Sequence, residues 1–131
     1  MRLINRSVGR AEALAAALDG PVRAFAWRDA AKAMAGAGAL VNATTLGLAG
    51  GEPLRLELDP LPGSAVVMDM VYRPLPTPLL ERARDRGHLI VDGLEMLIRQ
   101  AAPSFEAFFG QAPPASVDVR ALALAALETV P

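Results

Sequence analysis

The sequence predicts an α/β domain: a mainly parallel sheet with helices packed on its flanks. Two observations carry this. Short apolar runs alternate along the chain with segments of helical periodicity, the order a parallel sheet requires. The run AVVMDMV at residues 65–71 is almost continuously apolar, as in a strand covered on both faces. With 131 residues, 53% of them hydrophobic, the chain has the length of one domain and ample apolar surface to bury.

The elements follow in order. Residues 2–4 form a short strand ending in Asn5-Arg6-Ser7. Residues 10–18 read as a helix with Ala11, Leu14 and Leu18 on one face, Ser7 as its N-cap and Gly20-Pro21 as its stop. Residues 22–27 alternate as a strand, and residues 27–35 follow as a short helix ended by Gly36 and Gly38. Leu40-Val41 is a buried strand core leading into Asn42-Ala43-Thr44-Thr45. Residues 46–63 form a Gly- and Pro-rich loop, long enough to suggest a functional role, with Glu52, Glu57 and Asp59 solvated. After the strand at 65–71, Pro74, Pro76 and Pro78 make an extended turn. Residues 79–86 are helical and closed by Gly87. Residues 88–91 form the last strand, followed by helices at 94–109 and about 118–128. Pro103 lies inside the first of these helices and predicts a kink.

Composition excludes several functions. There is no cysteine, so no disulfide and no thiolate metal site. The single histidine, His88, cannot build a histidine-rich metal site and has no evident acidic partner. A net charge of −1 argues against nucleic-acid binding through a basic surface. No apolar run approaches the ~18 residues of a membrane span, and no secretory leader is visible, so a cytoplasmic location is expected.

Parallel sheets bind ligands at the carboxyl ends of their strands. At the first such end, Asn5, Arg6, Ser7 and Arg10 set two guanidinium groups and a hydroxyl at a helix N-terminus. Free N–H groups and the helix dipole favour a phosphate there, and arginine at this point of a dinucleotide-binding fold accommodates a 2′-phosphate. A solvated arginine pair beside an ordinary cap is the alternative. In the helix after the last strand, Leu94, Leu97, Ile98, Ala101, Phe105 and Phe108 share one stripe, and Glu95, Arg99 and Glu106 another. Gly93, Met96 and Gln100 make a third face that could wall a planar ring beside a polar ligand; a helix start, a core methionine and a surface glutamine would also fit. Asp69 must sit at a strand end or be hydrogen-bonded. Tyr72 either reaches a substrate or is a core tyrosine. No G-x-G-x-x-G, P-loop or G-x-S-x-G motif is present.

Four blocks together resemble the C-terminal NADP-binding domain of shikimate dehydrogenase. They are Asn5-Arg6-Ser7 with Arg10-Ala11; Val41-Asn42-Ala43-Thr44-Thr45-Leu46-Gly47; Met68-Asp69-Met70-Val71-Tyr72-Arg73-Pro74 with Thr77-Pro78-Leu79-Leu80; and Val91-Asp92-Gly93-Leu94-Glu95-Met96-Leu97 with Gln100-Ala101-Ala102-Pro103-Ser104-Phe105. The resemblance implies a Rossmann-like fold and NADPH-dependent reduction of 3-dehydroshikimate to shikimate in aromatic amino-acid biosynthesis. It implies that Asn5, Arg6, Ser7 and Arg10 hold the adenosine 2′-phosphate, and that Thr44, Met70, Gly93 and Met96 complete the cofactor contacts. Tyr72 and Gln100 match positions that contact shikimate. Glu95 departs from the family's usual glycine.

The resemblance further implies that residues 1–131 are a partial NADP-binding domain. The first strand, its Gly-rich loop and the N-terminal substrate domain with the catalytic Lys and Asp would lie upstream. In the strand order 3-2-1-4-5-6 the central strand would then be missing, leaving open sheet edges through which the chain could self-associate. On this reading the chain alone is inactive and meets shikimate only together with the other domain. A non-catalytic module that pairs with itself or with a separate N-terminal half, and a quinate/shikimate dehydrogenase relative, are the alternatives. The last helix is apolar nearly all round and so wants partners on more than one side.

Overall fold

The computed structural model describes the backbone of residues 1–129 and the side chains of residues 1–127. Five strands, β1 (Arg2–Asn5), β2 (Arg23–Ala26), β3 (Ala39–Asn42), β4 (Val66–Asp69) and β5 (Leu89–Val91), alternate with helices α1 (Val8–Ala17), α2 (Ala30–Met34), α3 (Pro78–Asp85) and α4 (Gly93–Phe109). A final helix, α5 (Val119–Thr129), follows α4. Every strand pairing is parallel.

The strands form two sheets rather than one: β1 pairs with β2, and β4 lies between β3 and β5. β1 and β3 are therefore each paired on one side only. The neighbours β1–β2, β3–β4 and β4–β5 are those the expected order calls for. One core nevertheless serves both sheets, since Ile4 of β1 and Leu40 of β3 pack against the same buried cluster. The Arg2 guanidinium ties the first sheet to the end of α2 by donating to the carbonyls of Ala33 and Ala35 at 2.7 and 2.6 Å.

β4 is the centre of the larger sheet, and its β-branched residues suit that place. Ala65, Val67 and Asp69 are fully buried. α3 covers it with Leu79, Leu80 and Ala83. That helix starts where the sequence dictates, with Thr77 as N-cap accepting from the Leu80 N–H and Pro78 in the first turn. It ends at Gly87, whose φ of +81° permits the Gly87 N–H to reach the Arg84 carbonyl. α4 begins on an Asp92 N-cap and ends on Gly110 in the left-handed region.

Several details depart from the sequence reading. The long connection between β3 and β4 carries core: Leu54, Leu56 and Leu58 alternate with exposed Arg55 and Glu57 and bury one face. It is an extended segment without a strand partner, anchored where Arg82 donates to the Leu54 carbonyl at 3.0 Å. The helix expected over residues 27–35 divides into a 3₁₀ turn, Trp27–Asp29, and α2, because Asp29 leaves helical geometry and pairs with Lys32 at 2.8 Å. Of the expected α1 face only Ala11 is buried, while Leu14 and Leu18 are exposed. Along the α4 stripe Leu94 is buried but Leu97 and Phe108 are exposed. Exposed Val119 and Leu122 on α5 agree with a helix that wants further partners.

Candidate functional site

The carboxyl ends of β3 and β4 are held by one buried network. Asn42 and Asp69 are partners in register across the two strands. The Asn42 amide donates to Asp69 Oδ1 at 2.8 Å and to the Leu46 carbonyl at 3.1 Å. Its own Oδ1 accepts from the Thr44 N–H at 3.1 Å and the Thr44 hydroxyl at 2.8 Å. Asp69 also accepts from the Val71 N–H at 3.0 Å and, through Oδ2, from the Thr77 hydroxyl at 2.6 Å. Burying these groups is affordable only because each is partnered. The network thus fixes the turn after β3, the turn after β4 and the cap of α3 at one point. The strand-end, hydrogen-bonded Asp69 expected from sequence is what the structure shows.

Between the two turns lies a cleft of ≈ 290 Å³. Thr44, Thr45 and Leu48 form one wall, and Met70, Tyr72 and Arg73 the other. Three of the expected site residues, Thr44, Met70 and Tyr72, are thereby brought together. Tyr72 is 38% exposed, which decides against a core tyrosine.

The third strand end adds Gly93. A Cβ at this position would collide with the Met70 carbonyl oxygen and lie 2.6 Å from the Met70 carbonyl carbon. The close approach that glycine permits is thus taken by the protein's own backbone, not by a ligand. It seats the first turn of α4 against the end of β4. Met96 is half-buried and Gln100 exposed on the same helix; the lining of the cleft includes neither.

The first turn of α4 carries an ion cluster that sequence reasoning missed. Arg120 of α5 donates to both carboxylate oxygens of Asp92, at 3.2 and 2.6 Å, and lies 3.5 Å from Glu95 Oε2. Asp92 meanwhile caps α4 by accepting from the Glu95 N–H at 2.8 Å. Burial pushes the Asp92 carboxyl up, but the Arg120 bond and the Glu95 N–H outweigh it and hold it below its ordinary value. A carboxyl depressed in the folded state stabilises above its unfolded pKa and loses that contribution as pH falls through the folded value. The pair is therefore intact at neutral pH. The only available signal was an isolated arginine in an alanine- and leucine-rich helix.

Asn5, Arg6, Ser7 and Arg10 do not line this cleft; they lie at the end of β1, in the turn after it and in the first turn of α1. All four are exposed. Ser7 occupies the N-cap position, but its side chain makes no capping bond. Asn5 Oδ1 instead accepts the Ser7 N–H at 2.9 Å, closing the turn from β1 into α1. The first turn of α1 holds no acidic residue. Among the described residues no carboxylate pairs with Arg6 or Arg10. Two uncompensated guanidinium groups at a helix N-terminus can hold a phosphate dianion. His88 is buried, with Nδ1 at 3.1 Å from the Ala65 carbonyl, which accounts for it structurally. Among the described residues there is no cluster of metal-ligating side chains and no helix long and apolar enough to cross a membrane.

Residues 93–123, from the start of α4 into α5, match the family profile of the Shikimate 5'-dehydrogenase C-terminal domain. Over 95% of its length the chain is 52% identical to the shikimate dehydrogenase (NADP(+)) of Paramagnetospirillum magneticum. The chain is thus similar to shikimate dehydrogenases over a stretch that takes in their C-terminal domain. It spans 45% of the length of that relative. Solved structures of the family share the architecture. The shikimate 5-dehydrogenase of Thermus thermophilus, in complex with NADP(H) and shikimate, superposes with a TM-score of 0.71 at 34% identity over 86% of this chain and 41% of that one. The quinate dehydrogenase of Corynebacterium glutamicum, in complex with NAD, gives 0.74 at 30% identity over 88% of this chain and 43% of that one.

Proposed function

We propose that this chain binds NADP(H) and forms the cofactor side of an enzyme that reduces 3-dehydroshikimate to shikimate. The observation that carries this reading is the pair of uncompensated arginines, Arg6 and Arg10, at the acid-free N-terminus of α1 directly after β1. A 2′-phosphate is the group these residues fit, and it is what separates NADP from NAD. When bound, NADPH supplies the hydride. Asn5 holds the β1–α1 turn so that Arg6, Arg10 and the free Ser7 hydroxyl face one anion. Thr44 and Met70 flank the cleft at the carboxyl ends of β3 and β4, while Gly93 and Met96 belong to the helix seated beside it. Tyr72 and Gln100 present polar tips toward a hydroxylated substrate.

Lys32 sits on α2 and pairs with Asp29, away from this cleft. On this reading a Lys and Asp of a substrate domain would supply the proton. A cytoplasmic setting is part of the same reading. Two specific observations favour neighbouring readings. The likeness to a quinate dehydrogenase supports a quinate-active relative. The single-sided pairing of β1 and β3 supports association through open edges, with another copy or with an N-terminal half.

The test is a pair of variants. Arg6→Ala with Arg10→Ala is expected to weaken NADPH binding by at least about 100-fold, since each lost charge-assisted bond costs ~1.5–3 kcal/mol. NADH binding should be unaffected. Fluorescence titration of the reduced nicotinamide reads both. Equal loss for the two cofactors, or no loss, would remove the arginines from the 2′-phosphate.

A further inference from the structure

The structure assigns Arg120 as a positioning residue that locks the first turn of α4 against the end of β4 and so sets the shape of the ring-binding side of the cleft. This rests on the reading of the cleft as the cofactor site. Three contacts carry it. Arg120 takes both oxygens of Asp92 in a fork, which fixes direction as well as distance. Asp92 is itself the cap of α4. The next residue, Gly93, is in backbone contact with Met70, which lines the cleft. A shift of Arg120 is thus passed through Asp92 and Gly93 to Met70 without any loose link.

α5 braces the same region a second time. Leu124 and Leu127, one and two turns beyond Arg120 on the same helix face, line a second cleft together with Tyr72 and Arg73. The helix therefore meets the cap of α4 with one residue and faces the segment after β4 across this second cleft with two others. Glu95 gains a role in this arrangement. It stands where the resembled family usually has glycine, and here its carboxylate bridges Arg99 at 2.7 Å and Arg120 at 3.5 Å. The departure supplies a further anchor for the same arginine.

Arg120→Met removes the fork, and Arg120→Lys keeps a charge without the fork geometry. Hydrogen exchange of the ligand-free chain is the primary readout. In Arg120→Met, amides of residues 70–72 and 93–96 should exchange about tenfold faster, with β1, β2 and α1 unchanged. Arg120→Lys should fall between this variant and the wild type. NADPH affinity should drop about tenfold, while 2′-phospho-ADP-ribose, which lacks the nicotinamide, binds as before. Unchanged exchange at 93–96, or acceleration spread evenly over the chain, would overturn the assignment. If the wild-type chain binds neither ligand, the cofactor reading fails, and the exchange result still decides the role of Arg120.

Discussion

Asp69→Ala is expected to cost about 3–5 kcal/mol of stability, a large share of the ~5–15 kcal/mol that holds a domain of this kind folded. The reason is what the substitution leaves behind. Asp69 is fully buried and is the acceptor for the Asn42 amide, the Val71 N–H and the Thr77 hydroxyl. Without it the Val71 N–H loses the acceptor shown here. Thr77 would keep its bond from Leu80 but lose the acceptor for its proton. Asp69→Asn should be much milder, about 1–2 kcal/mol. Its carbonyl can still accept from Asn42 and Val71, and the Thr77 hydroxyl can turn to accept instead of donate. Urea unfolding followed by circular dichroism separates the two variants. Alanine within ~1 kcal/mol of wild type would contradict the structural role given to this network.

Gly93→Ala carries the second large effect. The added methyl would meet the Met70 carbonyl and lie 3.0 Å from the Val71 carbonyl carbon. These are backbone atoms, so no rotamer change relieves the contact and α4 must move away from β4. Overpacking of this kind costs about 1–3 kcal/mol, against at most ~1 kcal/mol returned by the better helix propensity of alanine. The functional loss should exceed the stability loss. A displacement near 1 Å at a binding surface can cost about 100-fold, and the displaced elements are those that carry Met70 and Met96. Thermal unfolding paired with an NADPH titration reads both quantities. A variant that melts and binds like the wild type would show that α4 is free to shift.

How much of this was legible in the sequence depends on how local the signal was. β4 announced itself through its apolar run, and α3 through Thr77-Pro78 and Gly87, because caps and burial are written in neighbouring residues. The parallel order followed from alternation alone. The Leu54, Leu56, Leu58 alternation was also visible, yet the surrounding glycines and prolines made it read as open loop. Its burial depends on Arg82 and on the α3 surface, which lie more than 20 residues away. Gly93 was singled out as part of a ligand wall, but the group that approaches it is the Met70 backbone, from another strand end. Arg120 was invisible for the same reason: its value lies in Asp92 and Glu95, on a different helix. The capping role of Ser7 failed because Asn5, two residues earlier, captured the N–H that organises the turn. Local chemistry was readable; long-range partnership was not.

The central claim is that this chain holds NADP(H) and distinguishes it from NAD(H) through Arg6 and Arg10. Direct titration of the 131-residue protein with NADPH and with NADH, followed by nicotinamide fluorescence, tests it most directly. The account predicts saturable NADPH binding and NADH binding at least about 100-fold weaker, the value of two charge-assisted phosphate contacts. Equal affinity for the two, or no binding of NADPH, would contradict it.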